Sequence, residues 1–257
     1  MKLSIPEIET IKWAIIPARQ CVNFIAEETR IATLLHRSII ALSNQDKLLY
    51  LAHQHIKELG NDLTGINKLI SDQVWLGKSA KEMISNDFDP INRNGIVGMW
   101  VAIEVAIEDT AILILRKDKS VLELLSKAGV KLPKSITNPL IESDAHKVYK
   151  RLEQFSRKNR SVAEAYIHSM SVLNIFFTLP IDIIKTLSEL NYVRNCILHR
   201  GGVLDERAHI EAPNLSSHIG ENYKISNEKY MNYFEAVSKF SIELLDGVGK
   251  SPYVRRT

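Results

Sequence analysis

Apolar residues recur every three to four positions along most of this chain and strand-like alternation is scarce, so the pattern predicts helix almost throughout. A first amphipathic block runs from Ala18, just after Pro17, to about Ala41. A second runs from Gln45 to Leu59, stopped by Gly60, and a third from Asp62 to about Ile84. Long amphipathic helices joined by short turns form bundles. The stretch "SNDFDPINRNG", residues 85–95, lacks an apolar period and concentrates turn formers, which places a boundary there.

An apolar helix then runs to Leu115, and a short one in "SVLELLSKAGV" is closed by Gly129. After a loop with Pro133 and Pro139, helices are expected from about Glu142 to Ser156 and from about Ser161 to Phe176. Pro180 opens the next helix, with Asp182 near its positive end. The polar run "ERAHIEAPNLSSHIGENYKIS" reads as a long loop with room for a short β-hairpin. Ser226, with Glu228 close behind, caps a last helix to about Leu245, and "DGVGKSPYVRRT" reads as a disordered tail. The expectation is an all-α helical bundle: an N-terminal helical region, 1–90, followed by a second helical domain, 91–257.

Composition narrows the class. At 257 residues the chain buries a full core without disulfides. Its two cysteines, Cys21 and Cys196, have no ligand spacing, which points to a reducing compartment and away from structural zinc. The start, "MKLSIPEIETIKW", interrupts any secretory run with acids and a proline, so the expected location is cytoplasmic. The most apolar window, Ile96 to Leu115, carries Glu104, Glu108 and Asp109; it reads as a buried helix, and no membrane partner is expected. A net charge of +3 permits nucleic acid without demanding it. Gly-rich phosphate loops, G-x-S-x-G and H-E-x-x-H are absent. Neither cofactor nor metal is expected: His53 and His55, two apart, point to different sides of a helix, and Glu142 and His146 share a face without a third ligand.

Candidate chemistry concentrates in "LNYVRNCILHRGGVLD", residues 190–205, where a helix expected to bury Val193, Ile197 and Leu198 also carries Arg194, Asn195 and His199. Polar groups beside a core are costly unless paired. At about 100° per residue, Asn195 and His199 share a face, whereas Arg194 turns roughly 140° from His199. One helix does not focus all three, and a second copy packed antiparallel brings two arginines and two histidines into one cleft. Glu104 and Glu108, four apart, repel each other unless a cation answers them, and Arg194 is a candidate. Their other readings are a stripe at the solvent edge, a pairing with some other base, and a carboxylate metal site.

Residues 146–160, "HKVYKRLEQFSRKNR", set Lys147, Lys150, Arg151, Arg157, Lys158 and Arg160 against one acid, Glu153, with Tyr149 and Phe155 interleaved. The run fits a surface that tracks a phosphate backbone and stacks a base, and equally a solvated helix face.

The string "RNCILH", near a helix end and followed by "GG", resembles the motif of the HEPN superfamily (higher eukaryotes and prokaryotes nucleotide-binding). "SELNYV" before it, "GGVLDE" after it and the acid-bearing apolar helix "MWVAIEVAIEDTAIL" fit bacterial members, so the resemblance spans about Ile96 to Leu245. It implies a dimerising all-α bundle and, in active members, a metal-independent endoribonuclease in toxin, antiphage or RNA-surveillance settings. On that resemblance Arg194, Asn195 and His199 are catalytic. Glu104 and Glu108 support them, and the six cations of 146–160 bind RNA. Members paired with a nucleotidyltransferase antitoxin carry a tyrosine two positions after the histidine; Gly201 stands there, so that attachment point is missing. Arg30 and His36, similarly spaced, lack the polar neighbour and the glycine stop and read as a decoy.

The chemistry agrees with the resemblance. Histidine moves protons near neutrality, arginine holds phosphate oxygens with a fork of donors, and asparagine orients either. Attack by a 2′-hydroxyl leaves a 2′,3′-cyclic phosphate and a 5′-hydroxyl. Expected partners are RNA, a second copy, and a cognate antitoxin or defence protein, with residues 1–90 serving as sensor, cap or dimerisation element. The rival from another class is a non-catalytic helical module, antitoxin-like or regulatory, that binds RNA or protein.

Overall fold

The computed structural model describes residues 13–58, 64–136 and 140–255, and within them the protein is all-α. The helices are α1 (Ile16–Ser43), α2 (Gln45–Glu58), α3 (Thr64–Ser85), α4 (Asp89–Lys117), α5 (Val121–Lys127), α6 (Glu142–Ser156), α7 (Val162–Val172), α8 (Ile181–Arg200), α9 (Ala208–Glu211), α10 (Asn227–Lys250) and α11 (Pro252–Arg255). Single 3-10 turns occupy Trp13–Ile15 and Pro213–His218. The expected break at Leu59, Gly60 and Asp62 lies outside the described residues.

Helix α4 organises the bundle. Pro90 starts it and Arg116 and Lys117 close it at its negative end. Ile96, Met99, Trp100, Ile103, Ile107, Ala111 and Ile114 are buried around its circumference. A helix apolar on most sides belongs at the centre of a bundle, and α1, α6, α8 and α10 pack around it. Among the described residues no helix is long and apolar enough to cross a membrane.

Helix α1 adds Ala18, Cys21, Ile25 and Ala32 to the core that holds Trp100, Tyr233 and Phe240. Burial pushes the Cys21 thiol up to about 11, so it stays protonated beside Ser241 and is no nucleophile. The opposite side of α1 leaves Phe24, Ile31, Leu34 and Leu35 exposed. Between α1 and α4 runs an apolar groove of about 410 Å³, walled by Phe24, Val101 and Val105.

Two segments differ from the reading of the sequence. The boundary at 85–95 shrinks to a turn, with Asp87 and Phe88 at positive φ, before α4 begins at Asp89. The polar residues that broke the apolar period there are used in bonds that hold the turn. Buried Asn92 donates to the carbonyls of Asp87 (3.0 Å) and Ile225 (2.9 Å), and Asp89 accepts the Ile225 N–H at 2.6 Å. The second is the expected disordered tail. Helix α10 continues to Lys250 and α11 follows, with Val248 and Tyr253 buried against the structure around the Trp13–Ile15 turn. Gly247, inside that stretch, is a packing glycine: a Cβ there would meet the Phe176 carbonyl at 3.0 Å.

The loop before α10 holds two isolated bridges, Val203 with Asn222 and Leu204 with Ile219, and no strand is formed among the described residues.

Candidate functional site

Helix α8 buries Leu187, Leu190, Tyr192, Val193 and Cys196. Leu198, expected in the core, is exposed. The helix ends as its glycines require: Gly201 has φ +61° and Gly202 φ +91°, and the Gly202 N–H donates to the Cys196 carbonyl at 3.0 Å. Arg93, from the start of α4, clamps this stop. Its guanidinium donates to Asn222 Oδ1 at 2.6 Å, to the Tyr223 carbonyl at 2.5 Å and, more weakly, to the Gly201 carbonyl at 3.4 Å, while its Nε donates to Asp89 at 2.9 Å. A Cβ on Gly202 would stand 2.4 Å from Arg93 Nη1 and 2.9 Å from Asn222 Oδ1. Gly202→Ala is therefore expected to cost about 2 kcal/mol, from left-handed strain plus displacement of the clamp. A denaturant midpoint equal to wild type would refute that cost.

Arg194 turns inward. Its Nη2 donates to Glu104 Oε2 at 3.1 Å and its Nη1 to Asn195 Oδ1 at 3.0 Å, with the side chain 16% exposed. Its buried Nε has no hydrogen-bond partner among the described residues. The other Glu104 oxygen accepts the indole N–H of buried Trp100 at 2.9 Å, which fixes the carboxylate from below. Tyr166 lies beside them, its ring 6.1 Å from that of Trp100, and burial followed by the Glu104 charge pushes its hydroxyl well above the usual range. Arg157 and Arg194 both oppose this rise, so Arg157 lies within electrostatic reach of the same hydroxyl.

Glu108 does not share Arg194. It faces Nδ1 of His146 at 3.0 Å, both side chains being half-exposed. His199 stands exposed in the last turn of α8 and makes no hydrogen bond among the described residues. Arg194, Asn195 and Glu104 are thus joined at one point, His199 lies beyond them at the rim, and Glu108 orients a different histidine.

All six cations of the basic run are exposed. Lys147 pairs with Asp144 at 2.9 Å and Arg157 with Glu153 at 2.7 Å, while Arg160 donates to the carbonyls of Ser156 and Lys158 at 3.3 Å. The base-stacking role expected of Tyr149 is corrected: its ring is 5% exposed, inside the core, and Phe155 is half-buried with its ring 5.6 Å from that of His168. A polar cleft of about 520 Å³ opens between the turn after α6 and α8, lined by Arg157, Arg160, Ser161, Ser188 and Asn191. Asn191, on its wall, is about one helical turn before Arg194 on α8.

The remaining candidates separate from this site. Arg30 pairs locally with Glu27 at 2.6 Å, and His36 stacks on Phe88 at 4.2 Å, where burial pushes its pKa down. Glu142 pairs with Arg116 at 3.1 Å, and exposed His55 lies 3.9 Å from Glu58. Among the described residues no three His, Cys, Asp or Glu side chains gather as a metal-binding group.

Three residues that shape the site escaped the sequence reading. Trp100 had a signal, since it precedes Glu104 by four positions. Arg93 was hidden in the supposed boundary. His146 is joined to Glu108 across 38 positions, and no local pattern announces such a pair. Comparison of the chain with protein-family models, curated proteins and solved structures finds no match.

Proposed function

We propose that this protein is a metal-independent endoribonuclease of the HEPN type, acting as a homodimer in a toxin or antiphage role. One observation carries the reading: Arg194, adjacent to Asn195, is fixed between Glu104 and Asn195 on α8, and the same helix exposes His199 in its last turn before the glycine stop. A guanidinium held by a carboxylate is pre-oriented for phosphate oxygens and does not need to order itself during reaction. His199 supplies proton transfer, Arg194 holds the scissile phosphate and its developing charge, and Asn195 keeps the guanidinium aligned. Arg157, Arg160 and the exposed lysines of α6 follow the flanking backbone. Glu104 supports Arg194 directly, and Glu108 contributes through His146. The toxin or antiphage setting and a cognate antitoxin or defence partner follow from the resemblance alone, and the cytoplasmic location from the two cysteines without ligand spacing.

The dimer has its own support. On α4 the exposed Val101 and Val105 border the apolar groove and alternate with Glu104 and Glu108, so a second copy on that face would lie at the edge of the site. Light scattering is expected to give about twice the 29.2 kDa chain mass. A strict monomer at micromolar concentration would remove the shared cleft.

The cleavage test incubates purified protein with RNA and a chelator. The expected result is chelator-resistant cutting that leaves 2′,3′-cyclic phosphate ends and falls on the order of 10²- to 10⁴-fold in His199→Ala. The second reading, a non-catalytic RNA- or protein-binding module, draws on the engagement of Arg194 within the fold, because an arginine bonded to Glu104 and Asn195 also serves as a structural tie. Intact RNA with the dimeric protein would favour it.

A further inference from the structure

The site holds a second histidine. His146 projects from α6 toward α4, and its Nδ1 lies 3.0 Å from Glu108 Oε1. A carboxylate on Nδ1 keeps the proton on that nitrogen, stabilises the imidazolium that forms on proton uptake, and leaves the Nε2 lone pair available as a base. Glu108 is one turn from Glu104, about 5–6 Å between Cβ atoms, so the His146–Glu108 and Arg194–Glu104 pairs stand side by side on one face of α4. The order along α4 follows from three contacts: Arg93 with Gly201, Glu104 with Arg194, and Glu108 with His146. Along the axis of α4, Arg194 therefore lies between the level of His146 and that of the turn bearing His199, which is about 16 Å of helix away at Arg93. The second proton-transfer group thus reaches the same phosphate from a second copy across the shared cleft. The charged groups around the imidazole are Glu108 and Asp109 of α4, Glu142 one turn back on α6, and Lys147 and Lys150 ahead of it. Asp109 feels this crowding: burial, then Glu108, raise its pKa, while His146 lowers it.

We propose that His146, oriented by Glu108, is the general base of this site; the proposal rests on the ribonuclease reading above. Its Nε2 takes the 2′-hydroxyl proton as the O2′–P bond forms. The P–O5′ bond breaks, and His199 of the second copy, which has no carboxylate partner among the described residues, gives its proton to the departing 5′ oxygen. Arg194 holds the non-bridging oxygens between them. No metal, oxidant or added nucleophile enters the balance.

Two RNA substrates separate base from acid: one ordinary, and one with sulfur in place of the scissile 5′ oxygen. The sulfur leaves without being protonated, so loss of the acid is repaired and loss of the base is not. His146→Gln is expected to cut both RNAs on the order of 10²- to 10⁴-fold more slowly than wild type, whereas His199→Ala regains speed on the sulfur substrate. Glu108→Gln is expected to be slowed less, with kcat reduced and KM unchanged and with no repair by the sulfur substrate, a split that a purely structural carboxylate would not produce. All three positions are at the surface, and unchanged melting temperatures show that the variants fold. His146→Gln cutting at the wild-type rate, or repaired by the sulfur substrate, overturns the assignment while ribonuclease activity stands. Wild type that cuts neither RNA overturns the ribonuclease reading itself, and this proposal with it.

Discussion

Arg194→Ala is expected to slow RNA cleavage by on the order of 10³-fold while leaving the fold largely intact. The guanidinium is the fixed positive charge joined to both Glu104 and Asn195, so its loss removes the stabilisation of charge that grows on the phosphate oxygens. Glu104 does not become an isolated buried charge in the variant. It is one-third exposed and keeps the Trp100 N–H on its other oxygen, which limits the structural cost. Arg194→Lys is expected to recover only part of the activity, because one ammonium cannot reproduce the planar fork that spans Glu104, Asn195 and a phosphate. Added guanidinium ion provides the direct check: partial rescue of Arg194→Ala, with no effect on wild type, identifies a catalytic charge. An Arg194→Ala protein that cuts RNA at full speed would reduce Arg194 to a tie between helices.

Much of the frame is legible in the one-dimensional pattern because helices report themselves locally. Apolar spacing locates α1, α6 and α8, and Ser226 announces a cap that forms as its hydroxyl requires, accepting the Lys229 N–H at 3.1 Å. The motif on α8 is local too, and its arithmetic holds, since Arg194 and His199 leave the helix in different directions. Pairing across the bundle leaves no such trace. His146 reads as inert beside Glu142 because its partner lies on another helix, and the base that answers Glu108 comes from α6, a helix no local pattern links to it. Local signals also misled where a tertiary bond replaced a local one. Asn92, Arg93 and Gly247 have the composition of loops, yet the first two bond across to the Ile225 and Tyr223 carbonyls and the third makes room for the Phe176 carbonyl.

The largest expected loss of stability comes from a pair that no motif marks. Glu189 of α8 is buried, with its side chain 7% exposed, and it forms an ion pair with Lys229 of α10 while accepting the Tyr233 hydroxyl at 2.8 Å. Burial, then the Glu189 charge, hold the Tyr233 hydroxyl far above its usual range, so it remains a donor. The Lys229 ammonium also lies 5.2 Å from the Tyr233 ring centroid, a second reason for its placement. Lys229→Met preserves most of the stem's apolar packing and deletes the charge, leaving the carboxylate with one neutral donor. Breaking a buried pair from one side costs about 3–5 kcal/mol, which in a chain of this size lowers the melting temperature by on the order of 10 °C. The double variant Glu189→Gln with Lys229→Met removes both charges and is expected to regain most of that loss, because a neutral amide keeps the Tyr233 bond without the desolvation cost. Calorimetry of wild type, the two single variants and the double variant measures the coupling. Additive losses would mean that the pair is solvated and that α8 owes its place on α10 to apolar packing alone.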